Sequence, residues 1–462
     1  MSRLVVVSNR VADLSVPAQS GGLAVGLGDV LKESGGLWFG WDGKTVEAGT
    51  KVPPAIVTDD AVTTVTLPMT AKDYDEYYVG FSNRVLWPVF HYRLDLADFE
   101  TNFLDGYKRV NSKFADALSP LLEPDDLIWI HDYHLIPLAS ELRARGHRQK
   151  IGFFLHIPFP PSEVLAATPE HEWLVSTMFS YDLVGFQSHT DLTNFERYVE
   201  EQLHVEKRAD GAIPAFGREV VAGSFPIGID VDAFRAMAFT EEADEQIAFL
   251  KRRTTARIHI IGVDRLDYSK GLPDRLRAFG RLLEKYPENH KAVTLMQIAP
   301  PTREEVDAYT EIRQELETLS GAINGEFADF DWTPVRYIHR AIPRHILAAL
   351  FRGSQVGLVT PLRDGMNLVA KEYVAAQDND DPGVLVLSKF AGAAEQLNEA
   401  LIVNPYDVDE VAEALQRAIG MPLNERVARQ KALLARVRLH DAQHWQGSFL
   451  SALTEGRAGL AA

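Results

Sequence analysis

The chain has 462 residues and a formal charge of −18, from 47 Lys and Arg against 65 Asp and Glu. That length accommodates two or three domains with their own cores, and 46% hydrophobic with 24% charged residues excludes a disordered chain. The acidic balance excludes a general nucleic-acid or acidic-membrane binder, and the lack of cysteine excludes disulfides, thiolate metal sites and cysteine nucleophiles.

The first apolar run, LVVVS at 4–8, is too short for a signal peptide and reads as a buried strand. No stretch approaches the ~20 apolar residues of a membrane span, so the cytoplasm is the expected setting. Ser8-Asn9-Arg10 closes that strand, a polar loop ends in Ser20-Gly21-Gly22, and 23–32 reads as a helix. Adjacent glycines before a helix let backbone N–H groups approach a phosphate or sugar. A plain strand–helix turn explains them too, and Gly22, Gly26 and Gly28 do not make a dinucleotide fingerprint.

Apolar runs follow at 127–130, 151–155 and 183–186. His131-Asp132-Tyr133-His134 follows the first and His156-Ile157-Pro158-Phe159-Pro160 the second. One such histidine alone would be a satisfied core residue; ionisable groups at two successive strand ends point to a site. No helical H-x-x-x-H pair turns His131, His134 and His156 into a metal centre. Trp87, in Leu86-Trp87-Pro88, is either a core aromatic or the wall of a sugar pocket.

A boundary near 228–232 is followed by a polar helical stretch at 233–255 and a new strand at 258–263. Further runs lie at 293–298, 335–338, 356–359, 384–387 and 401–403, with helical patterns at 272–286, 304–319 and 408–419. Strands alternating with helices predict an α/β fold of doubly wound parallel sheets. One sheet holding every strand would be too wide. Two domains are therefore expected, 1–230 and 231–462, facing across a cleft, with the last helix packing back on the first.

In such sheets ligands bind beyond the carboxyl ends of the strands. Asp264-Arg265-Leu266-Asp267-Tyr268-Ser269-Lys270-Gly271 follows 258–263. Arg265 and Lys270 there suit a diphosphate, the one chelating two oxygens and the other adding a point charge; a surface ion pair is the plainer account. Arg303 follows 293–298, and Thr360 to Glu372, TPLRDGMNLVAKE, follows 356–359 with a helix starting near Asn367. The amides of that helix N-terminus can hold an anion, and Glu372 can accept paired sugar hydroxyls. Asp230-Val231-Asp232 and Asp329-Phe330-Asp331 match D-x-D, which chance produces readily among 65 acids.

Taken in order, Ser8-Asn9-Arg10, Ser20-Gly21-Gly22, Asp75-Glu76-Tyr77-Tyr78, Leu86-Trp87-Pro88, the two histidine motifs, the 264–271 motif and Arg363-Asp364-Gly365-Met366-Asn367-Leu368 resemble the bacterial trehalose-6-phosphate synthases, from residue 1 to about 445. The resemblance implies a GT-B fold of two Rossmann-like domains. It also implies a retaining transfer of glucose from UDP-glucose to glucose 6-phosphate, with no cofactor and no metal. For the acceptor it implies Arg10, Tyr78, Trp87, Asp132 and Arg303. For the donor it implies Gly21 and Gly22 closing over the sugar, and His156 and Asp364 on glucose hydroxyls. Arg265 and Lys270 fall on the diphosphate, Leu368 and Val369 reach it through backbone amides beside Ala370 and Lys371, Ile342 meets the base and Glu372 the ribose. Asp132, His156, Arg265, Lys270 and Asp364 are the implied catalytic set. Partners are then small molecules, without nucleic acid or membrane, and a homo-oligomer, dimer or tetramer, is compatible with the family. Two alternatives keep the scaffold: a glucosylglycerol-phosphate synthase using ADP-glucose, and a non-catalytic sugar-phosphate sensor.

Overall fold

The computed structural model describes residues 2–11, 28, 31, 35–50, 52–253, 256–303 and 306–455. Gly21, Gly22 and most of the helix expected over 23–32 lie outside them. The chain divides into two units, Met1–Pro226 with Trp445–Ala462, and Ile227–His444. The division thus falls just ahead of the stretch 228–232, and the chain from Trp445 on belongs to the first unit.

The first unit holds a nine-stranded sheet: β1 (Leu4–Arg10), β2 (Gly36–Val46), β3 (Ala55–Asp59), β4 (Val62–Thr70), β5 (Leu127–His131), β6 (Lys150–Phe154), β7 (Leu183–Phe186), β8 (Ala212–Ala215) and β9 (Arg218–Ser224). Its order is β3-β4-β2-β1-β5-β6-β7-β9-β8, and only the outer pairs β3/β4 and β8/β9 are antiparallel. Winding runs outward from β1 in one direction and from β5 in the other, so the order reverses between β1 and β5. The central strands are buried on both faces, with Val5, Val6, Val7, Ile128, Trp129 and Ile130 all fully covered, which is why they read as unbroken apolar runs.

The last helix, Ala442–Glu455, shows how closely this sheet is covered. Trp445 and Phe449 pack on Trp129, with ring centroids 4.9 and 4.8 Å away. Gly152 on β6 and Gly185 on β7 make the approach possible, because a Cβ at either would lie 2.7 Å from the Phe449 ring.

The second unit holds a six-stranded, wholly parallel sheet: β10 (Ile258–Val263), β11 (Val293–Ile298), β12 (Val335–Ile338), β13 (Val356–Val359), β14 (Val384–Ser388) and β15 (Leu401–Val403). The order β12-β11-β10-β13-β14-β15 is the 3-2-1-4-5-6 order of a Rossmann sheet, reversing between β10 and β13. Amphipathic helices cover it. Helix Leu272–Lys285 buries Leu272, Leu276, Phe279, Leu282 and Leu283 along one stripe, the 3.6-residue spacing that a sheet-packed helix requires. Helix Val408–Ile419 starts where the Asp407 carboxylate accepts the Glu410 N–H, satisfying one orphan donor of the first turn.

The strands and helices expected in the second unit are present with small shifts at their ends. The helix expected over 304–319 runs Asp307–Phe327, and 233–255 divides into Val231–Ala238 and Glu241–Arg253. The first unit adds what periodicity did not reveal. β2, β3 and β4 cross the region 44–66, and 71–90 is one helical run whose middle, Tyr74–Leu86, is a π-helix. A π-helix turns more slowly than the 3.6-residue repeat, so its apolar positions do not fall on an α-helical stripe.

Candidate active site

In each sheet the strand order reverses at one place, and Arg10, Asp132, Lys270 and Asp364 stand at the ends of the strands that flank it. In the first unit β1 ends at Arg10, an exposed side chain. Ser8 prepares it: its Oγ accepts the Trp38 indole N–H at 2.8 Å and donates to the Arg10 carbonyl at 2.9 Å. The guanidinium lies over Gly43, where φ is +84° and a Cβ would meet it at 2.8 Å, and its Cζ is 5.9 Å from the Trp41 ring centroid. Tyr77 of the π-helix donates to Asn9 Oδ1 at 2.8 Å. Its neighbour Tyr78 stacks nearly parallel on His134, 5.8 Å between centroids and 9° between planes, and on Tyr74. Trp87 is buried and packs on His91 and Tyr133.

Asp132, directly after β5, has φ 76° and ψ 164°. That region is normally reserved for glycine and costs about 1–3 kcal/mol. Its Oδ1 accepts the His156 N–H at 3.2 Å, so the two strand-end motifs read from the sequence are joined by a hydrogen bond. His156 Nε2 lies 3.1 Å from His131 Nδ1, and His156 Nδ1 lies 3.4 Å from Gln187 Nε2. One ring nitrogen must donate to the other, which two neutral imidazoles can do. Burial agrees with that: it lowers His156 to about 3, and burial with the proximity of His156 puts His131 well below the ordinary histidine range.

In the second unit the loops after β10 and β13 meet. The Lys270 ammonium, almost wholly buried, pairs with Asp364 Oδ2 at 2.6 Å. Asn367 Nδ2 donates to the same oxygen at 3.0 Å. The Asn367 Oδ1 caps helix Leu368–Ala376 by accepting the Ala370 N–H at 3.2 Å. An α-helix leaves its first amides without an intrahelical carbonyl, so the amides of Leu368 and Val369 carry the helix's positive end. Arg265 is exposed on the loop after β10. Ile342 stands half-exposed between β12 and helix Arg344–Arg352.

Glu372 meets Arg344, Oε1 to Nη2 at 3.2 Å. Burial raises its carboxyl above the usual range, against the pull of Arg344. Arg303, at φ 48°, donates to the Tyr309 hydroxyl at 2.8 Å and lies 3.6 Å from Asp267. Lys371 is fully buried with Nζ 2.7 Å from the Ile227 carbonyl, and burial lowers it to about 7. Gly21 and Gly22 lie outside the described residues. Among the described residues, no three His, Asp or Glu side chains are grouped to hold a metal ion.

The sequence reading missed the residues that hold these groups in place: Tyr77, Gln187, Arg275 and Asn367. Tyr77 and Asn367 stood inside motifs already noted, whereas Gln187 and Arg275 carried no signal of their own.

A model of glycosyltransferase family 20 matches residues 4–455. A trehalose-6-phosphate synthase of Cronobacter sakazakii is 52% identical over 457 residues, 98% of this chain and 96% of the relative. One of Klebsiella pneumoniae is 51% identical over 454 residues, 98% and 95% of the two chains. Among solved structures, a UDP-forming α,α-trehalose-phosphate synthase of Burkholderia xenovorans in complex with glucose-6-phosphate has a TM-score of 0.95 at 50% identity, covering 98% of this chain and 100% of that one. The E. coli protein bound with UDP-2-fluoro glucose has a TM-score of 0.93 at 49% identity, covering 98% and 99%.

Proposed function

The chain belongs to glycosyltransferase family 20, and from that premise we propose that it transfers glucose from UDP-glucose to glucose 6-phosphate. The products are UDP and α,α-trehalose 6-phosphate, with the anomeric configuration of the donor retained. The observation that carries this reading is the meeting of Lys270, Asp364 and the capped N-terminus of helix Leu368–Ala376 where the second sheet reverses. Negative charge must be stabilised where a diphosphate leaves, and the Lys270 ammonium and the first amides of that helix supply the stabilisation. The relatives named above bind the matching ligands: glucose-6-phosphate in one, a UDP-2-fluoro sugar in the other.

The donor falls to the second unit. Arg265 and Lys270 neutralise the diphosphate, with Leu368 and Val369 donating backbone N–H groups. Glu372 accepts from the ribose, and Ile342 flanks the base. Asp364 receives donor glucose hydroxyls. In the first unit the acceptor phosphate falls to Arg10 with Tyr78, and the acceptor sugar to Asp132 and Trp87. The C1–oxygen bond to the diphosphate breaks as the acceptor hydroxyl bonds to C1 on the same face, and its proton passes to the departing phosphate oxygen. Asp132 and Asp364 are already engaged, by the His156 amide and by Lys270 with Asn367. That suits them to binding rather than to forming a covalent sugar adduct.

The charge the leaving group needs comes from protein groups, so we expect turnover without a metal; full activity in EDTA is the check. A cytoplasmic setting fits a cysteine-free chain in which no described helix is long and apolar enough to cross a membrane. The assignment carries the expectation of a dimer or tetramer, read by light scattering. The deciding assay offers UDP-, ADP- and GDP-glucose against glucose 6-phosphate and glycerol 3-phosphate and measures nucleotide release. Release with UDP-glucose and glucose 6-phosphate is expected, and its absence with every donor refutes the assignment.

A further inference from the structure

At the reversal point of the second sheet, five residues close a ring. Lys270 Nζ bonds Asp364 Oδ2 at 2.6 Å, and Asn367 Nδ2 bonds the same oxygen at 3.0 Å and lies 3.4 Å from Asp264 Oδ1. Asp264 Oδ2 pairs with Arg275 Nη2 at 2.7 Å, and that nitrogen returns to the Lys270 carbonyl at 3.5 Å. Arg275 is fully buried and spends its other nitrogens on Gln297 Oε1 and Thr360 Oγ1, both at 3.1 Å. One guanidinium therefore ties together the carboxyl ends of β10, β11 and β13.

A buried ion pair is a poor way to gain stability, because desolvation offsets most of the attraction. What it does well is hold a geometry. Asn367 shows that geometry is what this ring serves. At φ 76°, Asn, Asp and Gly are the residues best tolerated. Asp would cap the following helix as well as Asn does. Only Asn also supplies an N–H donor to the two carboxylates, Asp364 and Asp264, that face it. Its two arms thus join the helix N-terminus to the lysine ammonium.

We propose that Asp264, Arg275 and Asn367 are positioning residues for glucosyl transfer. They fix the Lys270 ammonium and the first amides of helix Leu368–Ala376 in one arrangement before the diphosphate arrives. The proposal rests on the reading of Lys270 and those amides as the diphosphate site. Electrostatic stabilisation is strongest when the groups need not reorganise during reaction, and the ring removes that need.

The test compares wild type with Asn367→Asp, which keeps the cap oxygen and replaces the bridging donor with an oxygen. Asn367→Gly, which tolerates the backbone conformation and removes both arms, is the second variant. UDP release from UDP-glucose and glucose 6-phosphate by the wild type first establishes the underlying reaction. In N367D kcat then falls roughly 100-fold, as for misplaced catalytic groups, with KM for glucose 6-phosphate unchanged within about twofold. A purely structural role lowers Tm instead, leaving kcat per folded molecule intact. If N367D does not fold by circular dichroism, N367G decides. A folded variant with kcat within about threefold of wild type overturns the proposal and leaves the transfer reaction standing. A wild type that releases no UDP brings down the reaction and the proposal together.

Discussion

The reversal points of the two sheets, between β1 and β5 and between β10 and β13, are equivalent places in their topology. Their contents are opposite. The first is built of rings around the Asp132 carboxylate: His131 against His156, Tyr78 on His134, Trp87 on Tyr133. The second is built of ions, Lys270 with Asp364 and Asp264 with Arg275. The difference follows the chemistry assigned to each. A leaving diphosphate needs fixed positive charge close at hand. Hydroxyl groups of a sugar need shape and hydrogen bonds, which the rings and Asp132 offer, while Arg10 stands exposed at the end of β1. The same sheet topology serves both, because the topology supplies only a crevice.

Four measurements sharpen or break this contrast. The largest effect belongs to Lys270→Ala. Loss of a preorganised charge-stabilising donor costs about 10²–10³ in kcat, read from steady-state UDP release, and near-normal turnover would remove the second site's ions from the reaction. Arg10→Ala comes next. A hydrogen bond to a charged group contributes about 1.5–3 kcal/mol, so KM for glucose 6-phosphate rises by roughly ten- to a hundredfold, while the UDP Kd measured by calorimetry stays put. A weakened UDP affinity would break the separation of acceptor residues from donor residues.

Third, the neutral histidines make the first site acid-sensitive. His156 sits near 3 in the fold against 6.5 in the open chain. Between those values the unfolded state binds the extra proton, so stability is full above pH 6.5 and is lost as pH falls toward 3. His156→Gln should flatten that part of the Tm–pH curve; an unchanged slope would show that the ring accepts a proton within the fold. Smallest is the alkaline counterpart in the second unit. Lys371 is lowered from 10.5 to about 7. Between pH 7 and 10.5 the unfolded chain holds the proton that the fold rejects, so stability rises with pH across that window. Lys371→Met should remove the rise, seen as a smaller gain in chemical-denaturation midpoint from pH 7 to 9.

Legibility in the sequence followed burial. The strands β10, β11, β13 and β14 are covered on both faces, so each is a continuous apolar run, and the polar residues just beyond them stood out as strand-end chemistry. β3 is exposed along its whole length and β2 mixes tryptophans, glycines and charges, so neither carried a run to find. The π-helix Tyr74–Leu86 hid for a different reason, because its repeat is not the one sought. Arg275 was invisible because a charged residue between Leu272 and Leu276 on an amphipathic helix ordinarily points to solvent. Lys371 stood among the donor-binding candidates by its place in the motif, and the bond of its ammonium to the Ile227 carbonyl, 144 positions away, could not be read there.

The sequence by itself determined the alternation of strand and helix, the two-unit organisation and the motifs Ser8-Asn9-Arg10, His131-Asp132, His156, Arg265 to Lys270 and Asp364 to Glu372. These are local features, since a run of side chains and a turn are written in consecutive residues. Tertiary structure alone decided which of those motifs touch. Lys270 and Asp364 are 94 positions apart, and Asp264 meets Asn367, and Arg275 meets Gln297, only because the sheet order places β10 beside both β13 and β11. Strand order depends on the packing of whole layers, and no local pattern encodes it. For that reason the charges of the second site other than Arg275 could be listed from the sequence, but their closure into a ring required the fold.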